Sequence, residues 1–515
     1  GFFPGNLVVS TSQYTSDPSL FTPGTTQLPP GCTTGNCGTA VANGDFPQVF
    51  DNDSADGSFG VTSKIVLDQI SPFGQPIDSL EVPNSTERGI GANSDQMVTS
   101  FSSKSELALN LSTNGQDLTF MGYKAPVDAV DASNGNTPGV IDPTNPVPGA
   151  FYRVVGEVDA QGRFHFTETN AYSGDNGRAA ILDNSHGSNL IYAAGNAGNG
   201  SSPEPVGVIE GAGAQLVDPQ LIPEAAQDPG APKPLGGFSV TQLGEKADKS
   251  GKDTNFRGLG IDNNVVYYTK GSGSNGINTV YFVDTTGRAC PGTGVGLPVP
   301  GAPLPDAPLS IDPSTLQADG LPPNMCILKG FPTTLAKTST WFPFGVWFAN
   351  PDTLYVADEG DGTATYSATS DTYTDAASQA TAGLQKWVFN GTQWNLAYTL
   401  TAGLNLGKPY SVPGYPTGTN SATGLPWSPA TDGLRNLTGI VNPGTGQAAI
   451  WAITSTVSGS GDQGADPNKL VEVTDNLSAT SPPGNERFTT VKSAGDGEVL
   501  RGVSFTPGTF VDGSL

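Results

Sequence analysis

The feature that most constrains this chain is one short strand-like segment that recurs at long intervals. It reads Leu118-Thr-Phe-Met-Gly-Tyr123, Leu190-Ile-Tyr-Ala-Ala194, Val265-Val-Tyr-Tyr-Thr269, Leu354-Tyr-Val-Ala-Asp358 and Ile450-Trp-Ala-Ile-Thr454, with Leu7-Val-Val-Ser10 as a sixth copy. Anchored on Phe120, Tyr192, Tyr267, Tyr355 and Trp451, the steps are 72, 75, 88 and 96 residues, and from Trp451 through the end of the chain to Val8 a further 72. No stretch sustains a 3.6-residue period; short apolar-alternating runs are separated instead by Gly/Pro/Asn/Asp clusters, the pattern of an all-β chain. Repeats of this length fit four-stranded blades with generous loops.

A second repeat precedes most anchors: Arg178-Ala-Ala-Ile-Leu, Arg257-Gly-Leu-Gly-Ile, Phe344-Gly-Val-Trp-Phe, Arg435-Asn-Leu-Thr-Gly-Ile and Arg501-Gly-Val-Ser-Phe. Glycine suits innermost strands, where backbones crowd around an axis. Thr279–Asp284, Leu384–Phe389 and Lys469–Thr474 follow the anchors as outer strands. Arg501–Phe505 has no blade after it, so it is expected to complete the blade of Leu7–Ser10, closing a ring and hiding an edge strand. The expected fold is all-β: a single β-propeller over residues 1–515 with six blades. The interval from Val8 to Phe120 leaves room for a seventh around Lys64–Gln69 and Asp78–Val82. Gly 68 and Pro 43 make up about a fifth of the chain, concentrated in loop insertions at about 20–60, 290–326 and 405–430; hydrophobic residues at 36% still suffice for a core.

This pattern resembles secreted β-propellers of the NHL and strictosidine-synthase-like type. Leu354-Tyr-Val-Ala-Asp358 is the segment most similar to an NHL blade strand. Phe342-Pro-Phe-Gly-Val-Trp-Phe348 and Gly433-Leu-Arg-Asn-Leu-Thr-Gly439 resemble stretches of uncharacterised secreted propeller proteins. The resemblance implies a fold and carries no catalytic residue.

Charge narrows the partners. With 48 acidic against 23 basic residues the net charge is −25, which argues against nucleic acid and against anionic lipid as partners. No apolar run approaches the ~18–20 residues of a membrane span. Cys32 and Cys37 flank a four-residue loop and Cys290 and Cys326 bracket a Pro/Gly-rich excursion, so the local pairings 32–37 and 290–326 are expected as disulfides, with zinc at Cys32/Cys37 as the rival. The chain starts Gly-Phe-Phe-Pro-Gly with no methionine, and Asn-x-Ser/Thr sequons run from Asn52 to Asn476. Together these lead us to expect a secreted, monomeric protein with a processed N-terminus.

Several residues are candidates for chemistry. Only two histidines are present, His165 between two phenylalanines and His186 in a turn; a multi-His metal centre is excluded, and His165 is either a general base or an ordinary blade residue. No Gly-x-Ser-x-Gly elbow occurs. Gly271-Ser-Gly-Ser-Asn-Gly276 has dinucleotide spacing, but strands are expected on both sides, which makes it a hairpin loop. There is no nucleotide, flavin or haem signal. Asp51, Asp53 and Asp56, then Asp358 and Asp361, then Asp462, Asp466 and Asn468 are acidic loops suited either to calcium or to plain turns. Arg178, Arg257, Arg435 and Arg501 share one register, with Arg88 and Arg153 near comparable places. Strand starts gather at one mouth of a central channel, where guanidiniums either hold carboxylates bidentately or brace neighbouring blades. Tyr410, Tyr415 and Trp427 lie on a long loop and are either platforms for sugar rings or packing. Asp358 and Glu359 are the acid/base candidates. The expected function is to bind, and in one version to process, an extracellular carbohydrate such as an acidic polysaccharide, or another polymer. The alternative is a non-catalytic scaffold or adhesion protein with structural calcium.

Overall fold

The computed structural model describes residues 1–28, 38–40, 47–50, 60–101, 103–133, 149–187, 189–196, 213–219, 233, 235, 243, 255–274, 276–309, 324–460 and 463–510. These residues form six small, mainly antiparallel sheets arranged as the blades of a propeller. Named from the axis outward, blade 1 contains Glu498–Phe505, Leu7–Gln13, Thr62–Ile70 and Pro76–Glu81, with Thr99–Ser100 added beside the third strand. Blade 2 contains Asn110–Leu111, Asp117–Tyr123, Arg153–Asp159 and Phe164–Thr169, and blade 3 Gly177–Asp183, Leu190–Gly195 and Ala214–Val217. Blade 4 contains Gly258–Asp262, Val265–Lys270, Thr279–Val283 and Met325–Leu328, the last pairing in parallel with Val295–Gly296. Blade 5 contains Pro343–Asn350, Thr353–Asp358, Gly383–Phe389 and Trp394–Leu400, and blade 6 Ala430–Asn442, Gln447–Val457, Lys469–Asn476 and Thr489–Ser493.

All six anchor segments are therefore second strands. They read as nearly continuous apolar runs because each blade is covered on both faces, and Leu190–Gly195, Val265–Lys270 and Thr353–Asp358 are buried along their whole length. The core is divided into six layers, one between each pair of neighbouring blades. Met97, Leu107 and Phe120 lie between blades 1 and 2, Met121 and Tyr172 between 2 and 3, and Tyr192 and Tyr268 between 3 and 4. Phe282 and Trp387 fill the next layer, then Tyr355 and Ile450, then Trp451 and Phe505 between blades 6 and 1.

Among the described residues no strands are left to build a seventh blade. Thr62–Ile70 and Pro76–Glu81, which the long first interval holds, are the third and fourth strands of blade 1. The ring closes as expected, with Leu7 opposite Phe505 and Gln13 opposite Glu498. Inner strands touch in cyclic order, the last meeting the first. Glycine permits this crowding: a Cβ on Gly502 would lie 2.6 Å from the Leu107 carbonyl oxygen and 2.7 Å from the Leu109 nitrogen. Cys290 and Cys326 are disulfide-bonded, tying the excursion of blade 4 to its fourth strand. Cys32 and Cys37 lie outside the described residues. Among the described residues no helix is long and apolar enough to cross a membrane.

Candidate functional site

The inner strands lead from a charged end of the channel to one of mixed polar and apolar lining. Arg178, Arg257, Arg435 and Arg501 all lie on or beside inner strands and all are buried. Two of them brace the ring. Arg501 donates to Ser12 Oγ at 2.9 Å, to the Ser103 carbonyl at 2.8 Å and to the Phe101 carbonyl. Arg178 donates to Asn176 Oδ1 at 3.1 Å, to the Phe256 carbonyl at 3.0 Å and to Asn255. These guanidiniums connect blade 1 with the approach to blade 2, and blade 3 with blade 4.

Arg257 and Arg435 do something else: they share the carboxylate of Glu359. Arg435 Nε lies 3.2 Å from Glu359 Oε2, and Arg257 forms an ion pair with Oε1. Glu359 reaches this place because blade 6 carries glycine where the chain leaving blade 5 passes. A Cβ on Gly433 would lie 2.6 Å from the Glu359 carbonyl carbon. The Glu359 backbone is held there by its N–H to the Phe342 carbonyl, 3.1 Å, and by Ser455 Oγ donating to its carbonyl, 2.6 Å. Register shifts just before Arg435, at Thr431/Gly433, and across it, at Leu434/Leu437, bend the strand and re-aim that side chain.

A second carboxylate, Asp175, lies 4.0 Å from Arg178 and also acts on Arg257. Arg257 is 3% exposed, and its Nε is buried with no hydrogen-bond partner. Burial, followed by the charges of Arg178 and Arg435, pushes its pKa well below the usual arginine value. A further cation, absent from the arginine repeat, completes the cluster. Lys104 stands on the turn that leads into the inner segment of blade 2, half-buried, with protein around its ammonium. Burial and then Arg257 and Arg435 hold its pKa well below the lysine range; Asp432 acts in the opposite sense and Arg178 in the same. No described residue hydrogen-bonds or ion-pairs with it. Sequence reasoning missed Lys104 because the inner strand of blade 2 is only Asn110–Leu111 and lacks the Arg-x-x-apolar pattern of the others.

Carboxyl groups nearby are tied to backbone. Asp358 accepts from the N–H groups of Phe342 and Gly360, both at 2.9 Å, and burial raises its pKa to about 6. Asp432 accepts from the Gly362 N–H at 2.9 Å and from Gln379 Nε2 at 2.7 Å, and burial raises it to about 7. Below the cluster, Asn436 Oδ1 accepts from the Val503 N–H at 2.8 Å and the Leu109 N–H at 3.4 Å, joining three inner strands across the ring.

The other end of the channel opens into a cavity of about 860 Å³ lined by apolar residues such as Ile181, Leu259 and Phe348 and by polar ones such as Asn110, Asp262 and Asn264. His186, hydrogen-bonded to Asp183 at 2.9 Å, stands on its rim. Trp347, stacked on Tyr355, is also in its wall.

The remaining candidates have other partners. His165 is on the fourth strand of blade 2, 3.8 Å from Glu157. Arg153 starts a third strand rather than an inner one and donates to the Phe151 carbonyl at 2.9 Å, while Arg88 is exposed in a turn. Tyr415 and Trp427 are buried against Val49, and the Tyr410 hydroxyl donates to the Pro467 carbonyl at 2.6 Å with Lys469 over its ring. Asp361 is exposed and accepts from the Thr363 N–H at 2.8 Å. Asp466 is buried and accepts from Ser458, Ser460 and Thr456. Asp51, Asp53, Asp56 and Asp462 lie outside the described residues. Among the described residues no three His, Cys, Asp or Glu side chains converge to hold a metal ion. Gly271–Gly276 joins two strands paired from Lys270 opposite Thr279, so it is a hairpin loop as the sequence implied.

Neither protein-family models nor curated proteins match this sequence. The fold and the site define a class: a six-blade β-propeller with a cluster of arginines at one end of its channel and a cavity of mixed lining at the other. A fold of this kind hosts many activities, so function has to come from the residues at the site.

Proposed function

We propose that the protein binds the carboxylate groups of an extracellular acidic carbohydrate, or of a polymer of like charge, at the channel mouth beside Arg257 and Arg435. One observation carries this reading: Arg257 keeps a buried N–H without a partner, beside other cations and the carboxylate of Glu359 that it shares with Arg435. A buried donor without an acceptor costs about 1–3 kcal/mol, more when charged, and an incoming carboxylate would relieve it. The net charge of −25 does not prevent this, because charges beyond a Debye length of ~8 Å are screened while adjacent ones are not.

The Cys290–Cys326 disulfide supports export to an oxidising compartment. The likeness of Leu354–Asp358 to an NHL blade strand supports the same picture of a secreted propeller. We read the site as a binding site; Asp358 and Glu359, both committed to partners, are positioned to orient it. The test is a binding panel of acidic and neutral polysaccharides at low and high salt. Retention of polyuronates, lost on raising salt, is expected; equal retention of neutral glucans would overturn the reading.

A further inference from the structure

The cavity at the far end of the channel is the opposite of the arginine end in charge. Inner strands of four blades supply its apolar wall through Ile181, Leu259, Val346 and Leu437, and Ile440, 38% exposed, stands in the same wall. Among the described residues no lysine or arginine lines it. The carboxyl group in its wall is that of Asp262, which ends the inner strand of blade 4. Asp262 pairs with Val265 across a two-residue turn, and Asn263 and Asn264 in that turn have φ of 46° and 59°. Two successive left-handed residues are what a tight hairpin turn needs, so the backbone that carries the carboxyl is well defined. The side chain is half-buried, yet it accepts no hydrogen bond and meets no cation among the described residues. Burial is what raises its pKa, to about 6, with no charged neighbour acting on it. The other titratable group in the wall, the His186 imidazole, is already held by the Asp183 carboxylate at 2.9 Å.

We infer that this cavity is a second binding site, for a small organic cation whose apolar body lies against the inner-strand side chains and whose ammonium group pairs with Asp262. Each part of that ligand answers a feature of the wall. A carboxylate drawn partly out of water without a partner is unfavourably placed, and an ammonium supplies both the opposite charge and the hydrogen-bond donors it lacks. Apolar walls strengthen that pairing, because they lower the local dielectric. An anion would meet like charge with no basic group to hold it, and a neutral ligand of the same shape would cover Asp262 without pairing it. A volume of about 860 Å³ lies in the range of sites that enclose small molecules, roughly 300–1,000 Å³. The net charge of −25 draws cations toward the protein as a whole. The inference is independent of the carboxylate site at the arginine end.

The test is a calorimetric titration of the full chain with probes that share one rigid apolar body and differ in the charge of the head group. Adamantylamine is protonated at neutral pH, adamantanol is neutral and adamantanecarboxylate is an anion. At neutral pH and physiological salt the ammonium should bind at a single site at least about tenfold more tightly than the alcohol, as a charge-assisted hydrogen bond in a partly buried place provides. The carboxylate should bind more weakly than either. Asp262→Asn should remove the advantage of the ammonium and leave the affinity of the alcohol as it was. Equal affinity for the three probes, or tightest binding of the carboxylate, overturns the inference, and this result is read on the unaltered chain, so it does not depend on a variant folding. An ammonium preference that survives Asp262→Asn also overturns it, because the attraction would then come from the acidic surface at large. Either failure leaves polyuronate binding at the arginine end untouched, since none of these probes is a polyuronate and Asp262 lies at the opposite end of the inner strands.

Discussion

Lys386 Nζ lies 3.0 Å from Asp475 Oδ2, and both side chains are wholly buried between blades 5 and 6. The ammonium also donates to the carbonyls of Asn476, Leu477 and Ala479 at 2.8, 3.1 and 3.1 Å and to the Tyr398 hydroxyl at 3.0 Å. Asp475 in turn accepts from Tyr398 at 2.6 Å and from Tyr355. Every polar atom of the pair is served, which is the condition under which a buried ion pair is tolerated. Lys386→Met leaves the carboxylate with two phenols and no cation. It should cost about 3–5 kcal/mol in urea unfolding, and Lys386→Met with Asp475→Leu should cost less than the single change. A loss below about 1 kcal/mol in the single variant would show that the pair is solvated in solution.

Closure of the ring makes blade 1 dependent on segments from opposite ends of the sequence. Removing residues 500–515 strips its inner strand and exposes the edge of Leu7–Gln13. The chain should then lose its cooperative unfolding transition. Gly502→Val is the subtler probe, since its Cβ would meet the Leu107 carbonyl oxygen at 2.6 Å. Its melting temperature should fall by several degrees, as an overpacked core position costs about 1–3 kcal/mol. An unchanged melting temperature would mean that the inner strands are not packed this closely.

Stability should fall as pH rises, against the usual behaviour of carboxylate-rich chains. Burial raises Glu106, Glu157 and Asp432 to about 7 and Asp358 and Asp466 to about 6. In the folded state each keeps its proton at pH values where the unfolded chain has released it. Their contribution is complete below the ordinary carboxylate range of about 4 and is lost as pH rises through 6 to 7. The melting temperature should be higher at pH 5 than at pH 8, and Glu106→Gln should flatten the curve. A curve that rises toward pH 8 would contradict the assignment of these groups.

The blade order was legible because second strands buried on both faces repeat one apolar pattern, and Tyr192, Tyr267 and Tyr355 mark it. The arginine register was legible for the same reason, since Arg178, Arg257, Arg435 and Arg501 accompany inner strands. Their division of labour was not. Whether a guanidinium meets carbonyls, as in Arg501, or a carboxylate, as in Arg257, depends on loops from other blades: the turn of Phe101 and Ser103, and the chain at Glu359. Lys104 was hidden because its own inner strand is too short to announce itself. The role of Tyr415 and Trp427 was also open, because an aromatic ring on a Pro/Gly-rich loop reads alike whether it faces solvent or, as here, Val49.

The central claim is that Arg257 and Arg435 form a carboxylate-binding mouth, and calorimetric titration with an oligogalacturonate tests it most directly. Arg257→Ala combined with Arg435→Ala should weaken binding at least about a hundredfold, since charge-assisted hydrogen bonds contribute about 1.5–3 kcal/mol each. The melting transition should remain cooperative. Full affinity in the double variant, accompanied only by lost stability, would show that these arginines are braces like Arg178 and Arg501 and would contradict the account.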